Sequence, residues 1–544
     1  MKKTIISILL SLVLALGFSI PSVQAADDQF ATLVSQLGGF HLREKENIIE
    51  QIAKLDDERV LPLLVALMHN VLYQRKSDNE FVIGVDEKDQ VHIHSALSGK
   101  DMGLVASSKL RRVVTNNRIR GKVRTLLAVA RLHSKKSELR LEAAEELIKS
   151  PSKEYLPLID EAIAKEHSKG VLKALQVARA VIQIDSPNEA DRLQAVHVMD
   201  GYSNKVIMTI LDERLAKNDD GTYVEPSAQI RHDMKGVLTG LQREALFYKI
   251  VQNTCFGLSL GSVLLLAAVG LAITFGVMGV INMAHGEMIM LGAYTTYVVQ
   301  LLMPDHIGAS LFVAIPAAFL VSGLMGILIE RLVIRYLYGR PLETLLATFG
   351  ISLFLQQLVR TVFSPLNRSV QTPDWMSGSW HVNGFLSLTY NRIYIVFFSL
   401  MVLFGLMLLL KKSFFGLQMR AVTQNRPMAS AMGIRTGWVD ALTFGLGSGI
   451  AGIAGVALSQ LTNVGPNLGQ SYIIDSFMVV VFGGVGNLWG TLVAAMGLGI
   501  ANKYIEPLSG AVLAKILVLV FIILFIQRRK QGLFPQKGRA AEGH

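Results

Sequence analysis

The chain has 544 residues, more than one ordinary domain, and 51% of them are hydrophobic against 17% charged, which argues against a soluble globular protein and for a membrane protein. Its net charge of +11 does not read as a nucleic-acid binder, because much of the excess stands beside apolar spans, where cytoplasmic Lys and Arg are expected. The single cysteine, Cys255, rules out an intramolecular disulfide.

Residues 1–25 begin Met-Lys-Lys, run through an apolar stretch from Ile5 to Ile20 and reach Val23-Gln24-Ala25. This is the layout of a secretory signal with cleavage after Ala25, the alternative being an uncleaved anchor helix; either way the following segment is expected outside the cytoplasm. Residues 26–216 carry apolar side chains at three- and four-residue spacing, predicting amphipathic helices over Glu44 to Met68, Arg140 to Ile148, Tyr155 to Lys165, Leu172 to Ile184, Ala190 to Met199 and Lys205 to Leu215. Pro151, Pro157 and Pro187 stand at short turns between several of them. The phrases Arg59-Val60-Leu61-Pro62-Leu63-Leu64 and Glu154-Tyr155-Leu156-Pro157-Leu158-Ile159 are similar, and the pattern resembles HEAT-type repeats at irregular spacing.

Residues 80–114 interrupt the helices with a predicted hairpin, Phe81 to Val85 against Val91 to His94, across Asp86 to Gln90. His92 and His94 share a strand face. A metal site is conceivable there, but with no Cys and no evident third ligand in the sequence nearby the pair reads as two partly exposed histidines, and no metal is expected. The eight Lys and Arg between Lys109 and Arg131 read as a solvated face, or as a docking surface for a partner or lipid headgroups. Residues 217–247 form a linker with an amphipathic lead-in to the membrane, which the chain is expected to cross between 248 and 530 before a basic cytoplasmic tail, 531–544.

Apolar runs of spanning length occur at 254–275, 285–303, 309–333, 342–363, 392–410, 437–461, 487–505 and 511–527, with a shorter piece from Asp475 to Phe482. If the first half is exported, the first span runs inward and Arg331, Arg335, Arg340, Lys411, Lys412, Arg420, Arg426 and Arg435 all fall inside. Eight crossings would return Arg528, Arg529 and Lys530 to the outside; a ninth, using Asp475 to Phe482 as half of a discontinuous span, keeps them in the cytoplasm. The overall expectation is an all-α polytopic permease domain of 8–9 crossings behind an exported helical-repeat domain.

Two stretches break the spans. Between Thr274 and Tyr297, Gly276, Gly279, Asn282, His285, Gly286 and Glu287 interrupt an apolar region, and Gly483 to Asn487 interrupts a second. In hydrocarbon an unpartnered backbone group costs several kcal/mol, so irregular backbone persists only where protein or a water-filled cavity satisfies it. The breaks therefore read as the lining of a pathway, with Asn282, His285, Glu287 and Asn487 as its polar groups; the alternative is close helix packing at the glycines, with the polar residues marking an interface between ordinary spans. Between two spans, Pro427 to Gly433 is a short helix-prone piece ending in glycine and flanked by basic residues, which a soluble partner could grip, or an ordinary positive inside loop.

Together, GVMGVINMAHGE, LQMRAVTQNRPMASAMGI and VVVFGGVGNLWG resemble the permease subunits of branched-chain amino-acid and urea ABC transporters, in the same order from Phe247 to Phe534. Gly486-Asn487-Leu488-Trp489 and the exported extension look like the urea branch. The resemblance implies import of urea at the inner membrane, or alternatively of branched-chain amino acids or short amides, by this chain with a homologous second permease chain, cytoplasmic ATPase subunits and a periplasmic substrate-binding protein. It implies that Arg426, Ala429, Ser430, Ala431, Met432 and Gly433 couple to the ATPase. No G-x-x-x-x-G-K-[ST] phosphate loop or catalytic motif is found, so ATP is expected to be used by the partner subunits, with no cofactor on this chain. A passive channel for small neutral solutes is the competing class.

Overall fold

The computed structural model describes residues 29–38, 42–53, 55, 57, 59–87, 90–132, 134–529 and 531–534. The expected signal segment, 1–25, lies outside the described residues, as does the tail beyond 534. The chain divides into two compact units, Met1–Leu246 and Phe247–His544.

The first unit is mainly helical. Helices α1 (Gln29–Gln36), α2 (Leu42–Ala53) and α3 (Val60–His69) precede a sheet, and α4 (Asn117–Arg131), α5 (Ser137–Lys149), α6 (Leu156–Lys165), α7 (Lys169–Gln183), α8 (Glu189–Met199) and α9 (Lys205–Leu215) follow it. Polar caps start several of them: Asn116, Asn188 and Asn204 each accept from a backbone N–H of the first turn through the side chain, an arrangement worth about 1 kcal/mol. The apolar stripes meet inside, where Leu63, Leu64, Ile119, Val123, Ala144, Val177, Ala178, Ile207 and Leu211 are buried. Arg140 on α5 forms a two-pronged ion pair with Glu166 at 2.7 and 2.9 Å.

The expected hairpin is present and belongs to a larger element. Strands β1 (Leu72–Arg75), β2 (Phe81–Glu87), β3 (Gln90–Ser95), β4 (Asp101–Ala106) and β5 (Leu110–Arg112) form one antiparallel sheet in the order β4-β3-β2-β1-β5. The strands beyond the hairpin are not legible in the sequence because β1 and β5 are short and β4 lacks apolar alternation. The basic run extends from the turn before β5 through β5 and along α4, and none of its eight Lys and Arg side chains is buried.

Helix α10 (Ala228–Met278) carries both the expected lead-in and the first span, and it begins inside the stretch expected as linker, so that irregular chain is confined to about 216–227. It is followed by α11 (His285–Leu302), α12 (Ile307–Leu332), α13 (Pro341–Phe363), the short hairpin β6 (Ser379–His381) and β7 (Ser387–Thr389), and α14 (Tyr390–Lys412). After these come α15 (Phe414–Gln424), α16 (Arg426–Ala431), α17 (Thr436–Ser459), α18 (Gln470–Gly483), α19 (Leu488–Ser509) and α20 (Ala511–Arg528).

Among the described residues, six helices are long and apolar enough to cross a membrane: α10, α12 with the turn after it, α13, α14, α17 and α20. The other two expected spans are helical, as α11 and α19, but His285, Glu287, Asn502, Lys503 and Glu506 dilute them. The piece from Asp475 to Phe482 lies within α18, whose 14 residues are short for a crossing.

Helix α17 is the centre of this unit, buried along most of its length and packed against α11 and α12. Its glycines make that possible: a Cβ on Gly455 would collide with the backbone of Ile289 and Ala293, and one on Gly292 with the backbone of Gly452. Outside this centre, Phe312, Leu324, Leu346, Phe354, Phe397, Met401, Val512 and Phe521 are exposed, as hydrocarbon-facing side chains are.

Candidate functional site

Both expected breaks exist. The first separates α10 from α11 across 279–284, with Gly279 at φ 66°. The second separates α18 from α19 across 484–487, with Gly484 at φ 103° and Gly486 at φ 77°, backbone shapes that a side chain would strain. The two are neighbours: Gly276 lies so close to Gly486 that a Cβ on Gly276 would stand 2.5 Å from the Gly486 Cα.

At the first break the three predicted polar residues are fully buried, but they point to different neighbours. Asn282 accepts from the Ala284 N–H at 3.0 Å through its side-chain oxygen, and its Nδ2 has no partner. His285 donates from Nε2 to the Ala267 carbonyl on α10 at 2.8 Å, leaving Nδ1 without one. Glu287 turns towards α13: its Oε1 accepts from Ser352 Oγ at 2.9 Å and from Gln356 Nε2 at 2.8 Å, while the buried Oε2 has no partner. His285 and Glu287 are therefore not brought into one pocket.

Helix α13 supplies what the sequence reading missed. Thr344, Thr348, Ser352 and Gln356 recur every four residues and all are buried, forming an inward polar stripe on a helix whose other side carries exposed Leu346, Phe349, Leu353 and Phe354. Thr348 accepts from the Met283 N–H at 3.1 Å, so the stripe satisfies the broken backbone as well as Glu287. The four-residue spacing of hydroxyl and amide side chains within 342–363 was the available signal.

Asn487 stands apart from these. It caps α19, accepting from the N–H groups of Trp489 and Gly490 at 3.1 Å, and it donates from Nδ2 to the Phe534 carbonyl at 3.5 Å. The tail lies against this break, where Leu533 N–H meets the Phe482 carbonyl at 2.9 Å and Phe534 N–H meets that of Gly483 at 3.2 Å. Beside Gly276 and Gly486 opens a cavity of about 640 Å³, lined in part by Lys411, Arg420, Thr423 and Gln424. None of Asn282, His285, Glu287 and Asn487 lines it.

The loop before α17 is an anchored display. Arg426 forms an ion pair with Asp440 on α17, whose side chain is buried, and its guanidinium lies 3.9 Å over the Tyr338 ring. Arg331 lies 4.3 Å over the Trp438 ring on the far side of the loop. Asn425 caps α16 by accepting from the Met428 N–H at 3.0 Å, and Ala429 is buried beneath it. Ser430, Ala431, Met432 and Gly433 remain exposed, with Met428 beside them. Of the six predicted coupling residues, Arg426 and Ala429 thus hold the element in place and the other four are presented. Asp440, Tyr338, Arg331 and Trp438 were not anticipated, because their role depends on chain reversal between helices rather than on local pattern.

Residues 253–526 match the family described as "Branched-chain amino acid transport system / permease component". The chain is 29% identical over 295 residues to the high-affinity branched-chain amino acid transport system permease protein BraD of Pseudomonas aeruginosa, covering 53% of this chain and 96% of that protein. It is 32% identical over 297 residues to the corresponding permease protein LivH of Salmonella typhimurium and 31% identical over 297 residues to LivH of Escherichia coli, each match covering 51% of this chain and 94% of the relative. No solved structure matches.

Proposed function

Since the chain belongs to the branched-chain amino acid transport system permease family, we propose that it is the membrane-spanning subunit of an ABC importer that carries urea into the cell. The observation that carries this reading is the buried pairing of Glu287 with the polar stripe of α13. A membrane protein retains an ionisable side chain in its interior chiefly where it serves a route. Here one carboxylate oxygen is held by Ser352 and Gln356 and the other is left to accept. Urea offers four N–H donors, one of which Glu287 Oε2 can take, and a carbonyl, for which the Asn282 Nδ2, facing other neighbours, is a separate donor along the path. A dry site that failed to replace water's hydrogen bonds would cost about 1 to 3 kcal/mol per unpaired group.

Urea rather than an amino acid is supported by the Gly486-Asn487-Leu488-Trp489 sequence, and by the 246-residue unit before the permease, all of which lies outside the stretch that the family describes. The second reading, a branched-chain amino acid, is favoured by the names of the relatives, and an α-ammonium group would also suit Glu287. ATP is hydrolysed by cytoplasmic subunits that grip the exposed face of Ser430 to Gly433. A homologous permease chain completes the path and a substrate-binding protein delivers the solute on the side where residues 26–216 are exported. The membrane is the inner membrane.

Uptake of radiolabelled urea and, separately, of leucine in cells with and without this chain tests the reading. Loss of urea uptake alone is expected. Loss of leucine uptake alone would reject urea and keep the importer.

A further inference from the structure

Strand β3 places His92 and His94 on one face of the sheet, their ring centroids 4.9 Å apart. The register with β4 then adds a third group. His92 pairs with Leu104 and Ile93 with Gly103, so an uninterrupted ladder would set Met102 opposite His94; a bulge at Ile93/His94 sets Asp101 there instead. The result is a carboxylate beside two imidazoles: Asp101 Oδ1 lies 2.8 Å from His92 Nε2 and 3.9 Å from His94 Nδ1. One ligand atom from each of the three residues falls within 4.8 Å of the others. The edge of a tetrahedral zinc site is about 3.3 Å, so small side-chain rotations suffice to close the set. The Gly103 N–H donates to Asp101 Oδ1 at 2.9 Å, holding the carboxylate from behind.

From this juxtaposition we infer that His92, His94 and Asp101 form a binding site for a borderline divalent cation of the zinc class. Two imidazole nitrogens and a carboxylate oxygen are the donors zinc takes, and they leave a fourth position for water or for an outside ligand. An ion pair alone is the weaker explanation. Asp101 is exposed and His92 partly so, where an ion pair adds little, and a pair with His92 leaves unexplained why His94 Nδ1 is also turned to within 3.9 Å of the same carboxylate oxygen. A dication held by all three groups accounts for both approaches. The site lies in the first unit and does not depend on what the permease carries.

The test uses the full chain, purified in detergent without a polyhistidine tag and stripped with a chelator. Cobalt is titrated in and followed by its visible absorption, and zinc is then added in competition. One equivalent of cobalt with the band intensity of a four-coordinate site, displaced by zinc, is expected. Asp101→Asn, a nearly isosteric change at a half-exposed position, is expected to weaken binding roughly 10-fold or more, and His92→Ala with His94→Ala to abolish it, while the apo proteins melt as wild type does. Absence of stoichiometric binding in the wild type, or binding undiminished in both variants, would overturn the assignment. Should the double variant fold poorly, the Asp101→Asn result decides.

Discussion

At Glu287 one carboxylate oxygen accepts from Ser352 and Gln356 while the other has no partner, so an isosteric amide keeps the shape and removes the charged acceptor. Losing a hydrogen bond to a charged group costs about 1.5 to 3 kcal/mol, so Glu287→Gln is expected to slow uptake by about 10- to 100-fold without preventing assembly. Unchanged initial rates of radiolabelled uptake would remove Glu287 from the path. A second residue carries a pH dependence. The Arg140 guanidinium, helped by the N–H groups of Ser168 and His167, holds the Glu166 carboxyl down to about 2 from its usual 4.5. The folded value lies below the unfolded one, so the stabilisation is complete above pH 4.5 and fades as the pH falls towards 2. Amide exchange in α6 and α7 should accelerate across that window in the wild type and lose this response in Glu166→Gln; identical profiles would refute the linkage.

Helices α11 and α17 approach so closely that Gly455 has the backbone of Ile289 and Ala293 where a Cβ would be. Overpacking a core costs about 1 to 3 kcal/mol where side chains can move, and backbone cannot move that readily. Gly455→Leu is therefore expected to lower the melting temperature in detergent by several degrees or abolish accumulation in the membrane; a stable variant would show the packing to be looser. In the loop, α16 is held through Arg426 and Asp440. Arg426 keeps 33% of its side chain exposed, so losing the carboxylate leaves a partly solvated charge behind and loosens the loop rather than unfolding the helix. Asp440→Asn should free the exposed Ser430 to Gly433 face from α17, so that the ATPase turns over with uptake reduced several-fold, and an unchanged ratio of ATP hydrolysed to solute imported would count against coupling through this element. These elements were unequally legible in the sequence. Apolar periodicity placed α8 and α9 almost to the residue, and glycines with polar residues marked both breaks. The stripe from Thr344 to Gln356 was passed over because its apolar neighbours make 342–363 look like an ordinary span. Asp101 could not be paired with His94 because only the bulge in the ladder puts them together.

For the whole molecule, the permease unit is covered by relatives while most of the unit before it is not, so the transport class rests on Phe247–His544 and the role of Met1–Leu246 rests on its own chemistry. Composition announced the membrane, and the order of the three signature stretches announced the family. Substrate identity was less accessible, because a free carboxylate oxygen in a polar cradle suits any small solute rich in N–H donors. What separates a coupled importer from a passive channel is whether solute is driven uphill. The decisive measurement is therefore the internal concentration of radiolabelled urea at steady state in cells expressing the chain with its partners, before and after ATP depletion. A coupled importer raises internal urea above the external level and loses that excess when ATP is exhausted. Equal concentrations on both sides, reached at the same rate without ATP, would contradict coupled import by this chain.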